Sequence, residues 1–61
     1  MTEVIKKNGI FYTIVTYAYD NILTYVYDEN KDKIGSFENK ADSVKEHINW
    51  VKRLIRTSED F

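Results

Sequence analysis

Residues 8–19 read Asn-Gly-Ile-Phe-Tyr-Thr-Ile-Val-Thr-Tyr-Ala-Tyr, a turn signal followed by the longest β-like run of the chain. Asn-Gly between two β-like runs favours a type I′ hairpin turn, because both central residues of that turn have positive φ. β-branched and aromatic residues, which fill most of positions 10–19, are the types that strands favour. The sequence therefore predicts a first strand over residues 2–7 and a second strand over residues 10–19.

Two more turn signals predict a third and a fourth strand. The first is Asp20-Asn21, since both residue types tolerate the left-handed region and bond to their own backbone. The second is the polar run over residues 29–32. We expect strands over residues 22–28 and 33–37, with Gly35 marking a bulge or a close approach by the helix.

Helical periodicity replaces strand periodicity near residue 41. The apolar residues that repeat at helical spacing are Ala41, Val44, Ile48, Val51 and Ile55. They predict a helix over residues 40–57, followed by a frayed tail over residues 58–61. Two N-caps are compatible with the sequence: Asn39, or Ser43 in a capping box with Glu46.

The predicted fold is α+β, a single small domain over residues 1–61. An antiparallel β-meander of three to four strands precedes one C-terminal helix, which packs on one face of the sheet. Strand side chains alternate between faces, so the hairpin turns assign each residue to a side. If both turns contain two residues, Lys7 lies opposite Ile10 and Tyr19 lies opposite Ile22. One face then holds Ile5, Ile10, Tyr12, Ile14, Ala18, Leu23, Tyr25 and Tyr27. The other holds Val4, Phe11, Val15, Tyr17, Tyr19, Ile22 and Val26.

Both predicted faces are apolar, whereas one helix covers one side of a sheet. We expect the helix to cover the first face, which has more aliphatic residues, and to leave the second as an exposed apolar patch of the kind that marks interaction sites. The candidate partner-binding residues are Phe11, Val15, Tyr17, Tyr19, Val26 and Trp50. Two alternatives stay open: the chain's own tails cover the second face, and Trp50 closes the core over the sheet edge.

The composition narrows the chemistry that the chain can support. It has 61 residues, no cysteine and one histidine, and its net charge is −1. Disulfides and thiol nucleophiles are thereby excluded, and His47 alone builds no metal cluster. Ser43, His47 and Asp42 lack a nucleophile elbow or a glycine-rich oxyanion loop. We therefore expect a non-enzymatic protein, with no catalytic residue, cofactor, metal or small-molecule substrate.

The functional hypothesis is a small cytoplasmic protein-binding module that acts as a regulator or inhibitor and self-associates as a homodimer. A membrane location is not expected, because no apolar run is long enough to span a bilayer. Frequent Lys, Asn, Ile and Tyr are typical of AT-rich genomes, so a phage or mobile element is the hypothesised source.

Two other functions stay open. A nucleic-acid-binding domain would stack bases on the Tyr- and Phe-rich sheet, with flanking cations on the phosphates. The candidate phosphate-contacting residues are Lys45, Lys52 and Arg56, which project from one side of the helix. Because a net charge of −1 gives no overall attraction to phosphates, we expect a protein partner rather than a nucleic acid. The remaining alternative is a structural subunit of a larger assembly, joined through an open face or an edge strand.

Overall fold

The computed structural model describes residues 1–59 and residue 61. Its strands are β1 (Thr2–Lys7), β2 (Ile10–Ala18), β3 (Ile22–Tyr27) and β4 (Lys33–Asn39), and its helix is α1 (Val44–Thr57). The strands form one antiparallel sheet in the order β1-β2-β3-β4. The helix packs on one side of this sheet, mainly over β3. The predicted α+β class, a meander followed by a C-terminal helix, is confirmed.

The first hairpin turns at Asn8 and Gly9, as the sequence predicts. Both residues have positive φ, 54° and 80°, which a type I′ turn requires. Lys7 therefore pairs with Ile10 and Ile5 pairs with Tyr12. This register places the odd-numbered residues of β2 on one side of the sheet and the even-numbered residues on the other.

The second hairpin has a different register from the predicted one. Ala18 pairs with Ile22, so the loop contains three residues, 19–21, and β2 ends one residue early. Because side chains alternate with a period of two, this one-residue slip moves every side chain of β3 to the opposite face. The predicted face assignment of β3 is therefore wrong. Ile22 and Val26 lie under the helix, whereas Leu23, Tyr25 and Tyr27 lie on the other side.

A bulge and a polar turn shape the last hairpin. The register shifts between Val26 and Tyr27, so that Val26 pairs with Gly35 and Tyr27 pairs with Lys33. In the turn, the Asp28 carboxylate accepts backbone hydrogen bonds from residues 30 and 32, at 2.9 and 3.0 Å. Strand β4 continues to Asn39, two residues beyond its predicted end.

The helix begins later than predicted, at Val44 rather than near residue 40. Ser43 is its N-cap, and the Ser43 hydroxyl accepts a hydrogen bond from the backbone N–H of Glu46 at 3.1 Å. Of the two candidate caps, Ser43 is thus used, because Asn39 still belongs to β4. At the other end, the Lys7 ammonium donates to the carbonyl of Ile55 at 2.7 Å and to that of Ser58. The Ile55 carbonyl also accepts a hydrogen bond from the backbone N–H of Ser58 at 3.3 Å, and a cation at this position is favoured by the negative end of the helix dipole.

The core lies between α1 and the helix-facing side of the sheet. Its fully buried apolar side chains, each at most 1% exposed, are Ile14, Val26, Val51 and Ile55. Phe61 packs against this core, although the sequence predicts a frayed tail. The centroid of its ring lies 6.0 Å from that of Tyr12 and 6.4 Å from that of Phe37, and a Cβ added at Gly35 would lie only 3.2 Å from the ring. The prediction of a frayed tail is therefore wrong for Phe61, because an aromatic side chain there finds apolar surface beside a glycine.

A chain of hydrogen-bonded polar side chains crosses this core. The hydroxyls of Thr16 and Thr24 are 2.8 Å apart, and the Thr24 hydroxyl is 2.8 Å from Nε2 of His47. Nδ1 of His47 is 2.5 Å from the amide oxygen of Asn39, to which it donates. His47 is fully buried, and this burial lowers the pKa of its imidazole below the ordinary value of 6.5. Neutral His47 then donates through Nδ1 and accepts from Thr24 through Nε2, so both ring nitrogens are satisfied.

This arrangement predicts a loss of stability in mild acid. Between the lowered native pKa and the unfolded value of 6.5, the unfolded chain binds a proton that the native chain does not. The free energy of unfolding should therefore be highest above pH 6.5 and fall as the pH drops below it, by at most about 1.4 kcal/mol per pH unit. Urea denaturation between about pH 7.5 and 5.5 measures the slope.

The control is His47→Gln, in which this part of the slope should vanish. An NMR titration of the imidazole in the native protein supplies an independent reading, with an apparent pKa below 6.5 expected. An equal slope in both proteins, or a native pKa at or above 6.5, would contradict this account of the core.

Candidate functional site

The side of the sheet that faces away from α1 is apolar and aromatic. We call it the open face. Its apolar and aromatic members, followed by its threonines, are Val4, Phe11, Val15, Tyr17, Leu23, Tyr25, Tyr27, Thr2 and Thr13. Val4, Phe11 and Tyr17 are 61%, 51% and 41% exposed. Such exposure of large apolar side chains on adjacent strands makes a contiguous patch rather than scattered surface residues.

Both chain ends lie on the helix side of the sheet, away from the open face. Met1 pairs with Thr16, whose side chain is buried under the helix, and it shares a groove with Lys45 and Ile48 of α1. Phe61 packs against the helix-side core. The smallest extent of the molecule is 16 Å, which fits one sheet and one helix layer about 10 Å apart. Within residues 1–59 and 61, no segment is therefore placed over the open face.

Ring contacts organise the middle of the open face. The rings of Tyr17 and Tyr25 meet edge to face, with centroids 6.0 Å apart. The Lys6 ammonium lies 5.3 Å from the centroid of the Phe11 ring, and the Lys33 ammonium lies 4.6 Å from that of Tyr25. Cations at these distances are attracted to the ring faces and leave the apolar patch bordered by positive charge.

A carboxylate borders the same face at the other end. Phe37 contacts Trp50, and Asn39 bonds His47, so both point to the helix side of β4. Glu38, between them, points to the open face beside its strand partner Leu23 and is exposed.

The structure divides the predicted partner-binding residues that precede the helix into three groups. Phe11, Val15 and Tyr17 lie on the open face. Tyr19 lies in the loop after β2 and is 84% exposed. The prediction that Val26 contacts a partner is wrong. Val26 is 0% exposed and lies in the core, because the three-residue loop turns its side of β3 toward the helix.

Trp50 lies on the helix side and does not border the open face. Its ring is half-buried, with its centroid 6.1 Å from that of Phe37 and 5.6 Å from that of His47. The sequence allows Trp50 either to bind a partner or to close the core over the sheet edge. Its position near the β4 edge matches the second of these.

The candidate phosphate-contacting residues also lie away from the open face, on α1. Lys45 and Arg56 are exposed, whereas Lys52 is half-buried and pairs with Glu3 of β1 at 3.0 Å. The structure thus separates these three cations from the aromatic sheet surface, and one of them is already neutralised by a carboxylate.

Sequence reasoning missed Leu23, Tyr25 and Tyr27 as members of the open face. Ile22, Thr24 and Val26 are as strand-like as their neighbours, so the composition of β3 does not identify its buried side. The structure shows what distinguishes the buried side of β3. Thr24 lies opposite Thr16, and the two hydroxyls form hydrogen bonds that continue to His47.

Comparisons add no relatives. No protein-family model, curated protein or solved structure matches the chain. Within the residues that the structure describes, no helix has both the length and the apolar character needed to cross a bilayer. Function must therefore be inferred from the geometry of the chain itself.

The face assignment predicts unequal costs for two Val→Thr substitutions. Threonine has nearly the shape of valine but adds a hydroxyl, and burying a hydroxyl without a partner costs about 1–3 kcal/mol. Val26→Thr should therefore lower the free energy of unfolding by about 2 kcal/mol. The matched control, Val15→Thr on the open face, should change it by less than about 0.5 kcal/mol in dilute solution. Urea denaturation checks both, and a larger cost at Val15 would mean that the faces are inverted.

Proposed function

We propose that this chain is a non-enzymatic protein-binding module whose open face packs against a second copy of itself. The observation that supports this proposal is the exposure of Val4, Phe11 and Tyr17 on one continuous, uncovered sheet face. A cytoplasmic location, a role as a regulator or inhibitor and an origin in a phage or mobile element are parts of the same proposal.

The size of the open face is adequate for a homodimer. The two larger extents of the molecule, 32 and 21 Å, give one broad side a flat footprint of roughly 670 Å². Two copies packed face to face would then bury roughly 1,300 Å² in total, near the lower limit for specific protein complexes. A chain of 61 residues also gains from such packing, because it buries a small fraction of its surface when it folds alone.

Features of the sheet edges favour pairing through the face over pairing through an edge strand. Strand β1 is at one edge and carries the charged residues Glu3, Lys6 and Lys7. Strand β4 is at the other edge and contains the irregular register beside Lys33. Charged side chains and bulges are the means by which edge strands resist pairing with another chain. The same features weigh against an open-ended structural assembly built through the edges.

Nucleic-acid binding is the second candidate, favoured by the cations that lie over the rings of Phe11 and Tyr25. The Glu3 carboxylate would not repel phosphates at the open face, because it pairs with Lys52 on the helix side. The small number of cations on the open face nevertheless favours a protein partner over a nucleic acid. Two lysines would neutralise about two phosphates, giving a salt slope near −1.4 for single strands, and Glu38 would oppose even that.

The test is the solution mass. Light scattering should give about twice the chain mass of 7.3 kDa at concentrations near 100 µM, with a melting temperature that rises with concentration. Phe11→Thr removes an exposed ring from both copies and should weaken the dimer by roughly tenfold or more. The mass of this variant should fall toward that of the monomer at concentrations where the unchanged protein is dimeric.

The matched control is Ile10→Thr, the neighbouring position in β2. Ile10 is 39% exposed but belongs to the helix side of the sheet, so its substitution should leave the dimer intact. A monomer at every concentration up to about 1 mM, or equal weakening by both substitutions, would contradict the proposal.

A further inference from the structure

The charged residues around the open face are distributed unevenly between its two ends. The Asn8-Gly9 turn and the 28–32 turn share one end of the sheet, and Lys6 and Lys33 lie at that end. The loop over residues 19–21 lies at the opposite end, and Glu38 lies near it. Among the strand side chains that point to the open face, the cations Lys6 and Lys33 thus lie toward one end, and the carboxylate of Glu38 lies at a corner of the other.

The strand registers place two of these charges, Lys33 and Glu38, symmetrically about one row of paired residues across the sheet. Val15, Tyr25 and Ser36 form one cross-strand row. Lys33 belongs to the open-face row on one side of it, with Tyr27, and Glu38 belongs to the row on the other side, with Leu23. A two-fold axis that runs along the middle row would exchange these two flanking rows.

Two face-to-face arrangements combine two-fold symmetry with aligned strands, a common way for two sheets to pack, and their electrostatics differ. With the axis parallel to the strands, the ends that carry Lys6 and Lys33 coincide, so Lys33 of one copy approaches the β1 edge of the other copy, which carries its Lys6. With the axis across the strands, the ends are exchanged, and Lys33 of each copy lies over Glu38 of the other. Like charges brought together oppose association, whereas opposite charges set the register.

We infer that two copies pack with their open faces together and with the two-fold axis across the strands, so that Lys33 of each copy pairs with Glu38 of the other. This inference rests on the proposed homodimer and adds its orientation. The contact is isologous, because the same patch serves both copies and each ion pair occurs twice. Val15 and Tyr25 then lie near the axis and pack against their own counterparts, at the apolar centre of the interface.

Charge reversal tests this orientation. Lys33→Glu or Glu38→Lys alone converts two attractive contacts per dimer into two repulsive ones. Because two exposed pairs change sign in each dimer, either change should weaken the dimer by roughly tenfold or more, and less so at high salt. The double variant Lys33→Glu/Glu38→Lys restores opposite charges across the axis and should return the dissociation constant to within about threefold of its original value.

The controls are reversals of equal charge at two exposed residues of α1, Lys45→Glu and Glu46→Lys, which should leave the dimer unchanged. Sedimentation equilibrium measures all dissociation constants. Single reversals without effect, or a double variant weaker than both single variants, would overturn the orientation while the homodimer itself stands. A monomeric unchanged protein would overturn the proposed function and this inference together.

Discussion

The helix α1 covers one side of a four-stranded sheet whose two sides are both apolar, and this imbalance governs the rest of the molecule. Under the helix, Ile14, Val26, Val51 and Ile55 form a core with almost no exposure. Both chain ends add to that side, through Met1 and the ring of Phe61. The opposite side keeps its aromatic residues in solvent, supported by ring contacts and by two lysines.

The buried network of hydrogen-bonded side chains favours one strand register, and that register decides which residues of β3 lie on each side of the sheet. Thr16 and Thr24 are opposite each other in the sheet and join His47, which bonds Asn39 at the end of β4. A slip of β3 by one residue would remove Thr24 from this chain and leave buried polar groups unsatisfied, at about 1–3 kcal/mol each. The network therefore favours the register that places Leu23, Tyr25 and Tyr27 outside. In this small core, hydrogen bonding thus favours the register in which these aromatic residues lie on the open face.

The sequence predicts the fold better than it predicts the site. Asn-Gly and the change from strand to helical periodicity near residue 41 are local signals, and they lead to the observed element order. The length of the loop after β2 is not a local signal, because Asp20-Asn21 suits two-residue and three-residue loops alike. That single residue decides which side of β3 is buried, and so the prediction is wrong for Val26. Phe61 and Trp50 find their places through tertiary contacts that no short pattern reveals.

Association through the open face is tested most directly by methyl and aromatic NMR spectra recorded between about 1 mM and 10 µM. We predict that the signals of Val15, Leu23 and Tyr25 shift on dilution, while those of Val51 and Ile55 in the core stay in place. Spectra that do not change with concentration, or shifts confined to the helix, would contradict the view that the uncovered sheet side is where this protein binds.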